Sequence, residues 1–141
     1  DGEPALILTA SRKFADVVVS RLDNAVPWHG EVSQAQREKN KEAFINREVK
    51  YLVAVTSAIA EGVDGLQHAT RNVVWLSRSD NRILNEQAIK RVHRRGQKQQ
   101  VRSFDIVALD TYDSGVLSSQ LEQAIEMNRT LRKNGDLGGE E

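Results

Sequence analysis

The chain has 141 residues, 39% of them hydrophobic, and its 20 Lys and Arg balance its 20 Asp and Glu to a formal net charge of zero. That length suits one domain with one real core, and the balance excludes a disordered chain or a wholly basic nucleic-acid binder. The absence of cysteine excludes disulfides and thiolate metal sites, and no apolar run approaches the roughly 20 residues of a membrane span.

Ala5 to Thr9 (ALILT) is a short apolar run of the kind found in a strand buried on both faces. Ser11 caps an expected helix reaching Leu22, with Phe14, Val17, Val18 and Leu22 as its inward stripe. Ala25 to Trp28 reads as a second short strand. Ser33 and Gln36 have capping-box spacing and open a charged helix ending near Asn46, anchored by Ala43, Phe44 and Ile45. Tyr51 to Thr56 predicts a third strand, Asn72 to Leu76 a fourth and Arg102 to Ala108 a fifth. Between the last two, an amphipathic helix is expected over Arg82 to Arg95, closed by Gly96. A final amphipathic helix is expected from Ser114 to Lys133.

Strands alternating with helices predict an α/β fold, a mostly parallel sheet with helices on both faces. Residues 1–133 are expected to form the domain and 134–141 a flexible tail. In such folds ligands gather at the carboxyl ends of the strands. Those ends are Thr9-Ala10-Ser11, Trp28-His29-Gly30, Thr56-Ser57 and Ser77-Arg78.

The stretch from Gln87 to Gln97 (QAIKRVHRRGQ) carries the most chemistry. At about 100° per helical residue, Gln87, Arg91 and Arg94 share one face, and Leu84, Ala88, Ile89 and Val92 form an apolar face beside it. A guanidinium is permanently charged and planar, with forked donors that match phosphate oxygens, so two of them on one rigid face suit a γ-phosphate. From Arg78 to Arg102 eight basic residues face two acidic ones, an electropositive region within a neutral chain. Clustered arginines on an amphipathic helix also read simply as a solvated face. His93 lies on another face and reads as structural; Trp75, inside a strand, reads as core.

Taken in order, the strand ends resemble the second RecA-like lobe of superfamily 2 helicases and translocases, from Ala5 to about Thr111. The segment Ala5–Ser11 looks like motif IV of that family. His29-Gly30, then Arg37, then Phe44 matches the block that follows it. Thr56-Ser-Ala-Ile-Ala-Glu-Gly62-Val-Asp64 is similar to motif V, and Gln87 to Arg94 to motif VI. Gln87-Ala88 followed by Arg91, Arg94, Gly96 and Gln97 resembles the chromatin-remodelling (switch/sucrose-nonfermenting) branch, whose signature runs QAxxRxxRxGQ. Leu66-x-x-Ala69 points the same way. Motif V departs from that branch: GVDG is closer to the RNA-helicase GxD form than to the GxGxN of remodellers, which leaves the substrate branch open. Lys90 stands where many helicases carry glycine, and the short chain looks like a compact bacterial or viral member.

The resemblance implies the C-terminal motor lobe of an ATP-dependent DNA translocase or helicase. It implies ATP and Mg2+ held mainly by an upstream RecA-like lobe, because this sequence has no G-x-x-x-x-G-K-[ST] loop and no DExx-type strand end. Hydrolysis needs both, so this lobe by itself is expected to be inactive. Arg91 and Arg94 would face the γ-phosphate, Gln87 would orient that face, and Gly62 and Asp64 would approach the nucleotide. Gly62 reads equally as the glycine of an ordinary turn, and Asp64 as a local cap or an arginine's partner. Nucleic acid, expected to be duplex DNA with RNA as the alternative, would meet Ser11, Thr56 and Ser57 through its phosphates. Arg37 belongs to that set or only anchors its own helix. Two other readings stand beside this one: a strand-separating RNA or DNA helicase lobe, and a non-catalytic nucleic-acid-binding module of the same fold. The paired arginines argue against the second. No metal site within the lobe and no membrane partner are expected. The start, Asp1-Gly2-Glu3-Pro4, has no signal-peptide character, so the expected setting is cytoplasmic for a bacterial or viral protein and nuclear for a eukaryotic one.

Overall fold

Near-continuous apolar runs mark strands covered on both faces, and they occupy the middle of the sheet in the computed structural model, which describes residues 3–106. The elements run β1 (Ala5–Thr9), α1 (Arg12–Arg21), β2 (Ala25–Trp28), α2 (Gln34–Ile45), β3 (Tyr51–Val55), α3 (Thr56–Glu61), α4 (Leu66–Ala69), β4 (Asn72–Trp75), α5 (Arg82–Ile89) and β5 (Arg102–Asp105). The strand order is β2-β3-β1-β4-β5, and every pairing is parallel. Thr9 lies opposite Val55, Leu8 opposite Trp75 and Trp28 opposite Ala54, so the carboxyl ends of four strands reach one rim.

Alternate residues of each strand point to opposite faces. Leu6, Leu8, Leu52, Ala54, Val73 and Trp75 pack against Phe44, Ile59, Leu66 and Ala88, from α2, α3, α4 and α5. Ile7, Val53, Val55 and Val74 form the other face with Ala15 and Val18 of α1 and with Leu22. The expected inward stripe of α1 is shifted: Ala15 and Val18 are buried, while Phe14 and Val17 are only half-buried. Ser11 and Ser33 cap α1 and α2 as expected, each Oγ accepting from the N–H three residues on, at 3.2 and 3.1 Å.

Several boundaries differ from the sequence expectation, among them the end of α1, at Arg21 and not Leu22, and the end of β5, at Asp105 with Ile106 outside the strand. Thr56 does not end the third strand but opens α3, a helix of six residues, and α4 has only four. Leu76 follows β4 yet still donates its N–H to the Leu8 carbonyl at 2.8 Å. The largest difference concerns the arginine segment, because α5 ends at Ile89 and not at Arg95. Arg91 N–H bonds to Ala88 O at 3.1 Å and Val92 N–H to Ile89 O at 3.0 Å, so the backbone tightens into turns of i to i+3 type. The helix therefore stops before Arg91, which breaks the single helical face on which Gln87, Arg91 and Arg94 were expected, while Val92 is fully buried as its apolar face required. Gly96 does end the segment, at φ +96°, with Gln97 N–H bonded to Arg94 O at 3.0 Å. Residues 107 and 108 of the expected fifth strand, the expected helix from Ser114 to Lys133 and the tail 134–141 lie outside the described residues.

The opposite rim is tied by a polar network. Arg71 donates through Nε and Nη2 to the Glu3 carboxylate at 3.1 and 2.9 Å, and Asn72 Nδ2 donates to Glu3 at 3.1 Å and to the Pro4 carbonyl at 2.9 Å. The buried Arg102 donates through Nε to Asn72 Oδ1 at 3.0 Å, with Nη2 3.2 Å from Glu3. The Arg71 hydrogen bonds, opposed by burial and aided by Asn72 and the Arg102 charge, hold the Glu3 pKa down from 4.5 to about 2. No helix among the described residues is long and apolar enough to cross a membrane.

Candidate functional site

In-register pairing of β3, β1 and β4 gathers hydroxyl groups at the carboxyl rim. Thr9 Oγ1 lies 3.1 Å from Ser77 Oγ, which also accepts the Ala10 N–H at 2.9 Å. Thr9 Oγ1 accepts the Ser11 N–H at 3.3 Å, and Thr56 Oγ1 donates to the Thr9 carbonyl at 3.3 Å. The three expected phosphate contacts therefore differ in what they present. Ser57 is exposed in the first turn of α3, and Ser11 is exposed while its Oγ caps α1. Thr56 is 1% exposed and its hydroxyl is engaged by Thr9, so it helps to build the rim from beneath. Sequence reasoning named the Ser77-Arg78 strand end without assigning either residue a role. The link from Ser77 to Thr9 depends on strand order, which no local pattern encodes. Arg78 stacks over the Trp75 ring at 4.3 Å and forks onto Asp105 at 2.9 and 3.0 Å.

Arg37 stands elsewhere. It lines a groove of about 320 Å³ with Trp28, Gln34, Lys41, Gly62 and Asp64, and its guanidinium lies 5.8 Å from the centre of the Trp28 ring. Arg37 thus shares an opening with Gly62 and Asp64, residues that the sequence assigned to a different ligand.

The packing of α3 against α5 assembles the second part of the site. Arg91, in the turn after α5, donates through Nη2 to the Ala60 carbonyl near the end of α3 at 2.6 Å. Its Nε is buried and has no hydrogen-bond partner among the described residues. Arg94 Nη1 lies 3.6 Å from Asp64 Oδ1, with the two side chains 36% and 90% exposed. Between α3 and α4 the backbone passes through Gly62 at φ +146° and Gly65 at φ +97°. A Cβ at Gly62 would meet nothing within 4 Å, so glycine is favoured there by the backbone angle alone, and the loop faces open space. Gln87 is exposed on α5, one helical turn before Arg91. The structure therefore brings Arg91, Arg94, Gly62 and Asp64 together and leaves Gln87 at their margin.

Guanidinium groups beside a glycine-opened loop suit phosphate oxygens. A magnesium ion instead asks for several oxygen ligands, and the carboxylate of Asp64 is already paired with Arg94. The arrangement can neutralise and orient an anionic group delivered from outside the lobe.

The chain matches the helicase conserved C-terminal domain over residues 1–96. A DNA repair protein RAD5 of Cryptococcus neoformans is 30% identical over 132 residues, which are 90% of this chain and 11% of that relative. The chain thus spans about a ninth of that protein's length. Among solved structures, the C-terminal part of the Fun30 ATPase domain superposes with a TM-score of 0.65 at 24% identity, covering 82% of this chain and 38% of that one. Domain 2 of the DEAD-box helicase Mss116p, bound to an RNA duplex, gives 0.61 at 22% identity, covering 74% of this chain and 42% of that one. At these identities the structural likenesses establish the fold: a RecA-like parallel sheet with helices on both faces.

Proposed function

This chain belongs to the helicase conserved C-terminal domain family, and from that premise we propose that it is the second motor lobe of an ATP-dependent DNA translocase of the chromatin-remodelling branch. The observation that carries the reading is that Arg91, on the Ala60 carbonyl at the end of α3, and Arg94, beside Asp64, flank the Gly62–Asp64 loop, a cationic setting with the character needed to close over a triphosphate. An upstream RecA-like lobe would hold ATP and magnesium, and this lobe would supply charge at the γ-phosphate, where positioning and neutralisation account for nearly all of the catalysis. Gln87 would steady the same face from α5. This lobe by itself would not turn over ATP.

Nucleic acid would cross the hydroxyl rim. Ser11 and Ser57 are exposed there and Thr56 supports them, while Arg37 would meet the strand from the separate groove it shares with Gly62 and Asp64. Contacts of this kind hold phosphates without reading bases, as movement along a strand requires. Closure of the cleft around ATP and its reopening after hydrolysis would convert nucleotide turnover into steps.

The QAxxRxxRxGQ pattern and the likeness to a DNA repair protein and to the Fun30 ATPase domain support the DNA-translocase branch. The Gly62-Val63-Asp64 form of motif V favours a second reading, a strand-separating RNA or DNA helicase lobe. ATP hydrolysis by the longest native polypeptide containing this chain separates them, measured without nucleic acid and then with duplex DNA, single-stranded DNA or RNA. Stimulation by duplex DNA is the expected result. Stimulation by single-stranded DNA or RNA but not by duplex DNA would transfer the chain to the second reading, and no hydrolysis under any condition would make it a binding module.

A further inference from the structure

We propose that two adjoining grooves, outside the hydroxyl rim and the Gly62–Asp64 loop, form a docking surface for an extended acidic peptide. The proposal does not depend on the motor reading above.

The first groove, of about 390 Å³, is lined by Arg47 after α2, Gln67 of α4 and Lys98. The second, of about 520 Å³, takes in Arg95 together with the half-buried Ile89 and Val101. They meet at Gly96, Gln97 and Gln99, and no aspartate or glutamate among the described residues lines either one. Arg47, Arg95 and Lys98 are all exposed, and none forms an ion pair within the described residues. In a chain whose charges otherwise balance, such a strip carries positive charge that nothing nearby offsets, and it attracts carboxylates or phosphates.

The hydrogen-bonding groups favour a peptide over a nucleic-acid strand. Gln67 Nε2 donates to the Arg95 carbonyl at 3.2 Å, which fixes the orientation of the amide and leaves the buried Oε1 with no partner among the described residues. A buried acceptor of this kind calls for a donor. Peptide backbones carry N–H groups, whereas a sugar-phosphate backbone presents acceptors at its phosphates. The exposed Gln99 side chain offers a donor and an acceptor together, the pair that a peptide bond complements. Val101 and Ser103 bring the larger groove to β5, the edge strand of the sheet. An edge strand is where an extended chain can add main-chain hydrogen bonds, and Ile89 and Val101 can receive one apolar side chain.

The surface is tied to the turn that follows α5. Besides the bond from Gln67 to Arg95, Gln97 Nε2 donates to the Thr70 and Val92 carbonyls at 2.9 and 3.1 Å. A bound peptide would therefore hold α4 and residues 95–99 together.

The test uses the longest native polypeptide containing this chain and a fluorescein-labelled peptide of glutamate and serine around one leucine. Anisotropy at low salt is read beside the same peptide with lysine for glutamate, and beside a labelled single-stranded oligothymidylate. The acidic peptide is expected to bind at least about tenfold more tightly than the basic one, and Arg47→Gln with Lys98→Gln to weaken it about tenfold, as loss of two exposed charge pairs implies. Lys13→Gln, which removes an exposed cation from α1, is expected to leave binding unchanged. Thermal melts of the double variant check that it is folded, and Lys98→Gln alone replaces it if it is not. Bound peptide is also expected to slow hydrogen exchange across residues 95–99. The proposal is overturned if the parent protein does not bind the acidic peptide, if the folded variant binds it as well as the parent does, or if exchange at 95–99 is unchanged by it. Weakening of oligothymidylate binding without weakening of peptide binding would also overturn it, and would make the grooves a nucleic-acid surface.

Discussion

Arg94 is held by one long, exposed ion pair, and Glu3 by several short hydrogen bonds, so these two charged residues should respond very differently to substitution. In the two-lobed protein, Arg94→Ala is expected to lower kcat by about 10³-fold while ATP affinity stays within a few-fold, since the other lobe would supply most of the pocket. Equilibrium nucleotide binding beside steady-state turnover checks this, and an unchanged kcat would remove the finger assignment. For Glu3 the direction follows from linkage. Its folded pKa, about 2, lies below the ordinary 4.5, so its carboxylate stabilises the fold above about pH 4.5 and loses that effect as pH falls toward 2. Glu3→Gln is expected to cost on the order of 1–2 kcal/mol at pH 7, after allowance for partial exposure, and almost nothing near pH 2. Urea unfolding at both pH values would refute the assignment if the difference persisted in acid.

At the scale of elements, strands were legible from sequence because two-sided burial demands unbroken apolar runs, as in Ala5–Thr9 and Tyr51–Val55. The caps of α1 and α2 were legible because Ser11 and Ser33 act locally. Neither α3 nor α4 was, since helices of six and four residues are too short to display a periodicity. The end of α5 was hidden for another reason: Arg91 turns inward to a carbonyl on a different element, and the sequence around it does not mention that partner. Of the site, the arginines and the motif V loop could be named, but the placing of Arg37 beside Gly62 and of Ser77 beside Thr9 came only with strand order. Glycines at element junctions give a direct test. Gly65 has φ +97°, and a Cβ there would lie 3.0 Å from Ile45 Cδ1, whereas Gly30 has open space around its Cβ position. Gly65→Ala is expected to destabilise by roughly 1–2 kcal/mol and Gly30→Ala by less than about 0.5 kcal/mol. Equal midpoints in thermal melts would contradict this account.

For the whole molecule, zero net charge combined with a basic segment means that, on the proposed function, attraction to nucleic acid would be local. Few phosphates would be neutralised, and the salt dependence of binding should be correspondingly shallow. On the proposed assignment, Arg37→Ala reduces the slope of log K against log salt by about 1 and weakens all sequences alike. A slope unchanged from the parent protein would restrict Arg37 to anchoring α2.

On the same assignment, α3 begins with Thr56 and Ser57 at the nucleic-acid rim and ends at Ala60 and Glu61 beside the nucleotide loop. At 1.5 Å per residue, its six residues span only about 9 Å. A rod that short has no room to bend, and clamping by Arg91 at one end and the Thr9 carbonyl at the other leaves it little freedom to twist. On that assignment, displacement of the loop by a phosphate would reach the strand-gripping end through one short helix, acting as a strut and not as a spring.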